Sequence, residues 1–206
     1  AVVAGAEGAG LSSSIVIILG FANLIADGFS MSVGAYLSSK SEKQRYHKEK
    51  RKEYREIEEV PEDEIDEVRE IFTDLGFEGK LLEDVVLKIT ENEDRWVDVM
   101  MKHELEMIEE KKASSLIGLS TFVSFITFGV IPLLTYVYAM AWEVEMDRFL
   151  ISSLLTALAF VAIGWMKSFV TKTSRVQGVL ETLGLGALAA LLAFFAGDIL
   201  EQILLT

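Results

Sequence analysis

Polar and apolar positions divide this chain into long blocks. From Gly8 to Ser39 the one charged residue is Asp27, and from Ala113 to Trp142 there is none. Phe149 to Met166 is again uncharged, and Val176 to Gly197 carries only Glu181. Roughly 20 mostly apolar residues let a helix cross the hydrocarbon core of a bilayer. The blocks therefore predict four spans: Ser14 to Leu37, Ala113 to Trp142 with Gly129 and Pro132 inside it, Phe149 to Met166, and Val176 to about Leu200. Ala1 to Gly8 is apolar apart from Glu7 but too short to span. With Ala1 in place of Met, it is expected to be the tail of a truncated first span, giving five spans in a longer parent. No basic stretch precedes the first apolar run, so no cleaved signal peptide is expected.

Between Lys40 and Lys112 the pattern becomes polar and amphipathic. Ser41 to Val60 continues helically from the span before it, and Pro61 interrupts it while suiting the first turn of a new helix. That helix, Glu62 to Leu75, carries Ile65, Val68, Phe72 and Leu75 at helical spacing. Gly76 stops it, and Phe77 and Gly79 make a turn. Leu81, Leu82, Val85, Val86 and Ile89 form a short amphipathic helix. A last helix from about Glu93 carries Trp96, Val97, Met100, Met101, Met107 and Ile108 and is expected to run into the next span. Helices this small bury little, so dimerisation or a bound ion is expected to stabilise them. The chain is thus expected to be all-α, a polytopic membrane helical bundle with an inserted helical domain. Its segments are 1–39, 40–112 and 113–206.

Charge sharpens the division. Of 206 residues, 51% are hydrophobic and 25% charged, values of an ordinary globular domain until the charges are mapped. Of the 51 charges, 39 fall between Lys40 and Lys112, leaving 12 for the other 133 residues, too few to solvate a soluble surface. Lys40 to Arg55 is net +5, a stem suited to anionic lipid headgroups; Glu56 to Glu110 is net −16, which repels nucleic acid and attracts cations. Basic residues cluster at Lys40 to Arg55, at Lys111 and Lys112, and at Lys167, Lys172 and Arg175. The connections Gly5 to Ser13 and Glu143 to Asp147 have none. The positive-inside bias then puts the charged insert in the cytoplasm and the C-terminus on the other side. With no cysteine, disulfides, zinc–thiolate sites and thiol catalysis are excluded.

Two constellations could carry chemistry. Asn23, Asp27, Ser30 and Met31 form one stripe of a helix, extended by Gly34, and an ionisable residue within a span is a functional candidate by default. A carboxylate, an amide oxygen and a thioether together suit a partly dehydrated transition metal rather than Mg²⁺ or Ca²⁺. The plainer reading is a small-residue packing face of Ala26, Ser30 and Gly34. In the insert, Glu56 with Glu59 and Glu67 with Glu70 are pairs at i, i+3, each able to bridge a divalent ion. Nine of the fifteen residues from Glu56 to Glu70 are acidic, so such pairs also arise by composition. Met101 and Glu104 share a face, although Met100 and Met101 also fit a helix core. His47 and His103 read as surface residues. The sequence contains no Gly-rich phosphate loop, no recognisable triad ordering and no H-E-x-x-H, so no enzyme is expected.

The run NLIADGFSMSVGAYLSSKSE from Asn23 to Glu42 resembles the second-helix signature of the vacuolar iron transporter family. The order that follows is similar too: REIEEVPEDEIDEVREIF, then WVDVMMKHEL, then three closing spans. The resemblance covers essentially the whole chain. It implies a homodimer of five-span subunits that moves Fe²⁺, often Mn²⁺ and other divalent transition metals, out of the cytosol by proton antiport. It implies a vacuolar-type membrane in a eukaryote or the cell membrane in a prokaryote. It also implies a cytoplasmic domain binding metal through glutamates and methionines, here Glu56, Glu59, Glu67, Glu70, Met100, Met101 and Glu104. The 3-8-3 spacing of the four glutamates fits that pattern. Met31 matches the methionine of the translocation path.

The sequence departs from the family at two places. The first-helix aspartate would lie before Ala1, and Asn23 stands where many members have glutamate, with Asp27 where many have a small residue. Asp27, one turn away, is expected to take over the carboxylate role. The competing expectation is a membrane-anchored metal-binding or buffering module without transport. An E-x-x-H di-iron pattern, which would favour an oxidising module, is missing from these helices.

Overall fold

The computed structural model describes residues 1–142 and 147–204. The connection expected at 143–147 lies, apart from Asp147, outside the described residues. Every element among the described residues is an α-helix. They are α1 (Val2–Gly8), α2 (Ser13–Glu59), α3 (Pro61–Asp74), α4 (Gly79–Thr90), α5 (Glu93–His103), α6 (Ser114–Gly129), α7 (Ile131–Ala141), α8 (Arg148–Thr171) and α9 (Arg175–Leu204). They form two compact units, one of Ala1–Val33 with Gly118–Thr206, the other of Gly34–Ile117. α2 contributes to both.

In the first unit, α2, α8 and α9 are long and apolar enough to cross a membrane, and α6 with α7 makes a fourth such segment if counted as one broken span. The stretch 113–142, expected as a single span, is bent by 44° at Val130. Pro132 has no N–H to give the carbonyl of Phe128, and its ring crowds that carbonyl. The N–H groups of Leu133 and Leu134 both turn to Val130 O, at 2.9 and 3.1 Å. The bend is packed against α2: a Cβ on Gly20 would strike Leu133, and one on Gly129 would strike Leu24.

Elsewhere in this unit small residues let backbones meet, as in membrane helix pairs. A Cβ on Gly8 would collide with the carbonyl oxygen of Phe194, and one on Gly197 with that of Gly5, so α1 lies directly on α9. Between α8 and α9, a Cβ on Gly164 would lie 2.6 Å from Gly178 O. Tyr136 of α7, buried, donates to Glu7 Oε2 of α1 at 3.2 Å.

The second unit packs the latter part of α2 with α3, α4 and α5 around Ile57, Val68, Leu82, Val86, Trp96, Val97, Met100 and Met101. Pro61 occupies the first turn of α3, after a break at Val60, and Gly76 takes φ +89° just past its end. Both match the turn signals in the sequence. α5 starts at Asn92, whose side chain accepts from Arg95 N at 2.9 Å, with Glu93 and Asp94 favourably placed in the first turn.

α5 does not run into the next span as expected. It ends at His103, and α6 begins at Ser114. The Leu105 and Met107 N–H groups cap the Met100 and Met101 carbonyls at 3.1 and 2.7 Å, and Glu106 takes a left-handed φ of +51°. Leu105 and Met107 fold back onto the core. Burying those two side chains outweighs the local cost of a left-handed glutamate. Since that end contains neither Gly nor Pro, the usual stop signals are missing.

Candidate functional site

Charge and burial conflict in the second unit. Glu53 of α2 is 1% exposed and Glu64 of α3 is 5% exposed, and Oε2 of each has no hydrogen-bond partner. Burial, reinforced by the charges of Glu104, Glu64 and Glu56, pushes the Glu53 carboxyl up to about 7. Burial, then the charges of Glu67, Glu56 and Glu104, pushes Glu64 to about 7 as well. Glu64 sits in the first turn of α3, where the helix dipole favours a carboxylate; desolvation outweighs that help. Glu104, the residue just past α5, is raised by desolvation although its side chain is solvent-accessible, with Glu67 and Glu56 adding to the effect. Three helices therefore bring five carboxylates, those of Glu53, Glu56, Glu64, Glu67 and Glu104, into one another's field.

Lys52 is the cation facing this group. Its Nζ lies 2.7 Å from Glu56 Oε2. α5 is fixed against α2 by Lys50 Nζ donating to Asp98 at 3.3 Å and Tyr54 OH donating to Asp94 at 2.5 Å. The end of α5 is thereby held in reach of α2.

The expected ligands divide. Glu56, Glu67 and Glu104 belong to the group. Glu59 and Glu70 are exposed, and neither is among the leading charges acting on Glu53, Glu64 or Glu104. Met100 and Met101 are 0% and 1% exposed, part of the core with Trp96 and Val97. His47 and His103 are exposed. Glu53 and Glu64 went unrecognised in the sequence, although the apolar phase of their helices carried the signal. Among the described residues no three His, Asp or Glu side chains converge closely enough to hold a metal ion. Drawing these carboxylates around one ion takes side-chain rotation, which the half-buried Glu56 and Glu67 and the exposed Glu104 can make.

In the first unit, α2 carries two parallel stripes. Gly20, Leu24 and Gly28 face α6 and α7, with Gly28 close to Phe122 and Phe125. Asn23, Asp27 and Met31 line a cavity of about 950 Å³. Asn23 Nδ2 donates to Asp27 Oδ2 at 2.5 Å. Ser120, Thr121 and Ser124 of α6 and Ser152, Ser153 and Thr156 of α8 also line the cavity, the Ser152 hydroxyl donating to Pro132 O at 3.0 Å and the Thr156 hydroxyl to Ser152 O at 2.7 Å. Ala26, Ser30 and Gly34, the alternative packing face, are exposed. Asn23, Asp27 and Met31 thus border the cavity, as do Gly20 and Leu24 of the glycine stripe, which also packs on α6 and α7.

Comparison with known proteins gives a consistent picture. The family model of the VIT family matches residues 1–198. A vacuolar iron transporter of Centaurea cyanus is 34% identical, over 94% of this chain and 78% of its own length. Vacuolar iron transporter 1 of Arabidopsis thaliana is 34% identical over 98% of this chain and 80% of its own. A vacuolar iron transporter of Plasmodium falciparum (isolate 3D7) is 30% identical over 98% and 77%. With relatives aligned along nearly its whole length, the chain belongs to the VIT family, and so to transporters rather than enzymes.

Proposed function

We propose that this chain exports Fe²⁺, together with Mn²⁺ and other divalent transition metals, from the cytosol by proton antiport. In this reading it is a multi-pass membrane protein working as a homodimer. The observation that carries the proposal is the Asn23–Asp27–Met31 stripe on the wall of a 950 Å³ cavity in the apolar unit. A carboxylate that faced lipid or a sealed helix contact would serve an anchor as well. One lining open volume, together with a methionine and several serines and threonines, suits passage of an ion. The Asn23 amide occupies one oxygen of Asp27 and leaves the other for a metal or a proton. The soft sulfur of Met31 favours Fe²⁺ over Mg²⁺.

The polar unit is read as the cytosolic collector, an orientation supported by the basic flanks. Its metal-binding set is Glu53, Glu56, Glu64, Glu67 and Glu104. Met100 and Met101 border it from the core, and Glu59 and Glu70 lie outside it. Carboxylates must be deprotonated to bind, so loading releases protons. The vacuolar iron transporters at 34% identity support iron as the cargo.

Fe²⁺ uptake into proteoliposomes under an imposed pH gradient tests this reading. Uptake that collapses with the gradient, and falls at least tenfold in Asp27→Asn, is expected. Full proton-coupled uptake by Asp27→Asn would remove the role given to that carboxylate. Fe²⁺ binding with no uptake in any gradient would leave a membrane-anchored buffering module.

A further inference from the structure

The acidic group contains its own cation. Lys52 precedes Glu53 directly and pairs with Glu56 at 2.7 Å, with its side chain 47% exposed. The neighbouring lysines of α2 are engaged elsewhere, Lys50 with Asp98 and Lys48 with Glu49. Two carboxylate oxygens within its field, Glu53 Oε2 and Glu64 Oε2, are buried without partners. Among the described residues, the leading charges acting on Glu53, Glu64 and Glu104 are carboxylates and the Lys52 ammonium. One ammonium therefore offsets part of the charge of five carboxylates, and being half exposed it can swing out.

We infer that Lys52 is a tethered competitor that sets the metal affinity of the acidic site: its ammonium takes the charge-balancing place that an entering divalent cation assumes. This rests on the metal-collecting reading of the unit. Giving up an exposed i, i+4 ion pair weakens binding only about twofold. The larger effect is that a doubly charged ion must share the site with a displaced ammonium a few ångströms away, in a partly desolvated field. A collector that hands its cargo onward gains from such a competitor, because the ammonium re-enters as the metal leaves.

The test is anaerobic equilibrium dialysis of Fe²⁺ against the full chain in detergent micelles, carrying Asp27→Asn so that the polar unit dominates binding. Lys52→Gln and Lys52→Met are each expected to tighten Fe²⁺ binding about tenfold, while Lys52→Arg stays within about twofold of the parent. Lys48→Gln, which removes the same charge one turn away, is expected to change it less than twofold. Unchanged or weaker binding in both neutral Lys52 variants overturns the inference. An equal gain in Lys48→Gln also overturns it, by showing a general field effect. If Glu53→Gln and Glu64→Gln leave Fe²⁺ binding at the parent value, the metal-collecting reading fails and the competitor role fails with it.

Discussion

Glu53→Gln and Glu64→Gln should stabilise the polar unit in metal-free buffer at pH 8 while weakening its hold on metal. Both carboxyls are raised from 4.5 to about 7. A folded value above the unfolded one means the protonated form is favoured in the fold. The stabilisation is complete below pH 4.5 and is lost as pH rises through 7. At pH 8 each carboxylate is ionised in a place that favours the acid. The full shift corresponds to about 3 kcal/mol, and screening by solvent on the Glu104 side reduces it to about 1–2 kcal/mol each. Glutamine resembles the neutral acid in shape and cannot ionise, so each variant should gain that amount at pH 8 and almost nothing at pH 4.5. Trp96 is buried in this unit, and with Trp142 and Trp165 replaced by Phe its fluorescence follows urea unfolding of the full chain in detergent. Subtracting variant from wild type at each pH removes the contribution of the other exposed carboxylates. Equal stability of wild type and variants at both pH values would refute the reasoning, as would a destabilised variant at pH 8.

The two glutamate registers should separate by binding. Glu59→Gln and Glu70→Gln are expected to keep Fe²⁺ affinity within about twofold, whereas Glu53→Gln or Glu64→Gln loses a charge-assisted ligand and at least about tenfold, read by anaerobic dialysis. In the apolar unit, Gly164→Leu forces a side chain into the backbone of Gly178 and Val179. It should cost about 1–3 kcal/mol, visible as a lowered Tm in detergent. Gly184→Leu, with open space at that position, should not lower it.

Much of the architecture was legible because hydrophobic runs and turn residues act locally. Pro61 and Gly76 each marked a helix boundary that the structure retains. Three features were not legible, each for a tertiary reason. The bend at Val130, started by Pro132, is held by α2, with Gly20 against Leu133 and Leu24 against Gly129, and the stop at His103 came from Leu105 and Met107 returning to the core. The third, the glutamate register, has the most bearing on function.

The 3-8-3 spacing could not decide it, because Glu53, Glu56, Glu64 and Glu67 satisfy it as well as Glu56, Glu59, Glu67 and Glu70. Phase decides. At about 100° per residue, Glu53 lies about 40° from the buried Ile57 around α2, Glu56 about 100°, and Glu59 about 160°. Around α3 the same offsets separate Glu64, Glu67 and Glu70 from the buried Val68. The two helices thus repeat one arrangement: a carboxylate four residues before the core residue turned inward, one directly before it at the flank, and one two residues after it facing away. The observed burial follows that order on both helices, from Glu53 and Glu64 through half-buried Glu56 and Glu67 to exposed Glu59 and Glu70. In the proposed metal-collecting reading, an ion drawn in by five carboxylates is met on the inward and flanking positions, where Glu53 Oε2 and Glu64 Oε2 are buried and unpartnered. In that reading the outward, exposed Glu59 and Glu70 stay solvated and extend the attractive field.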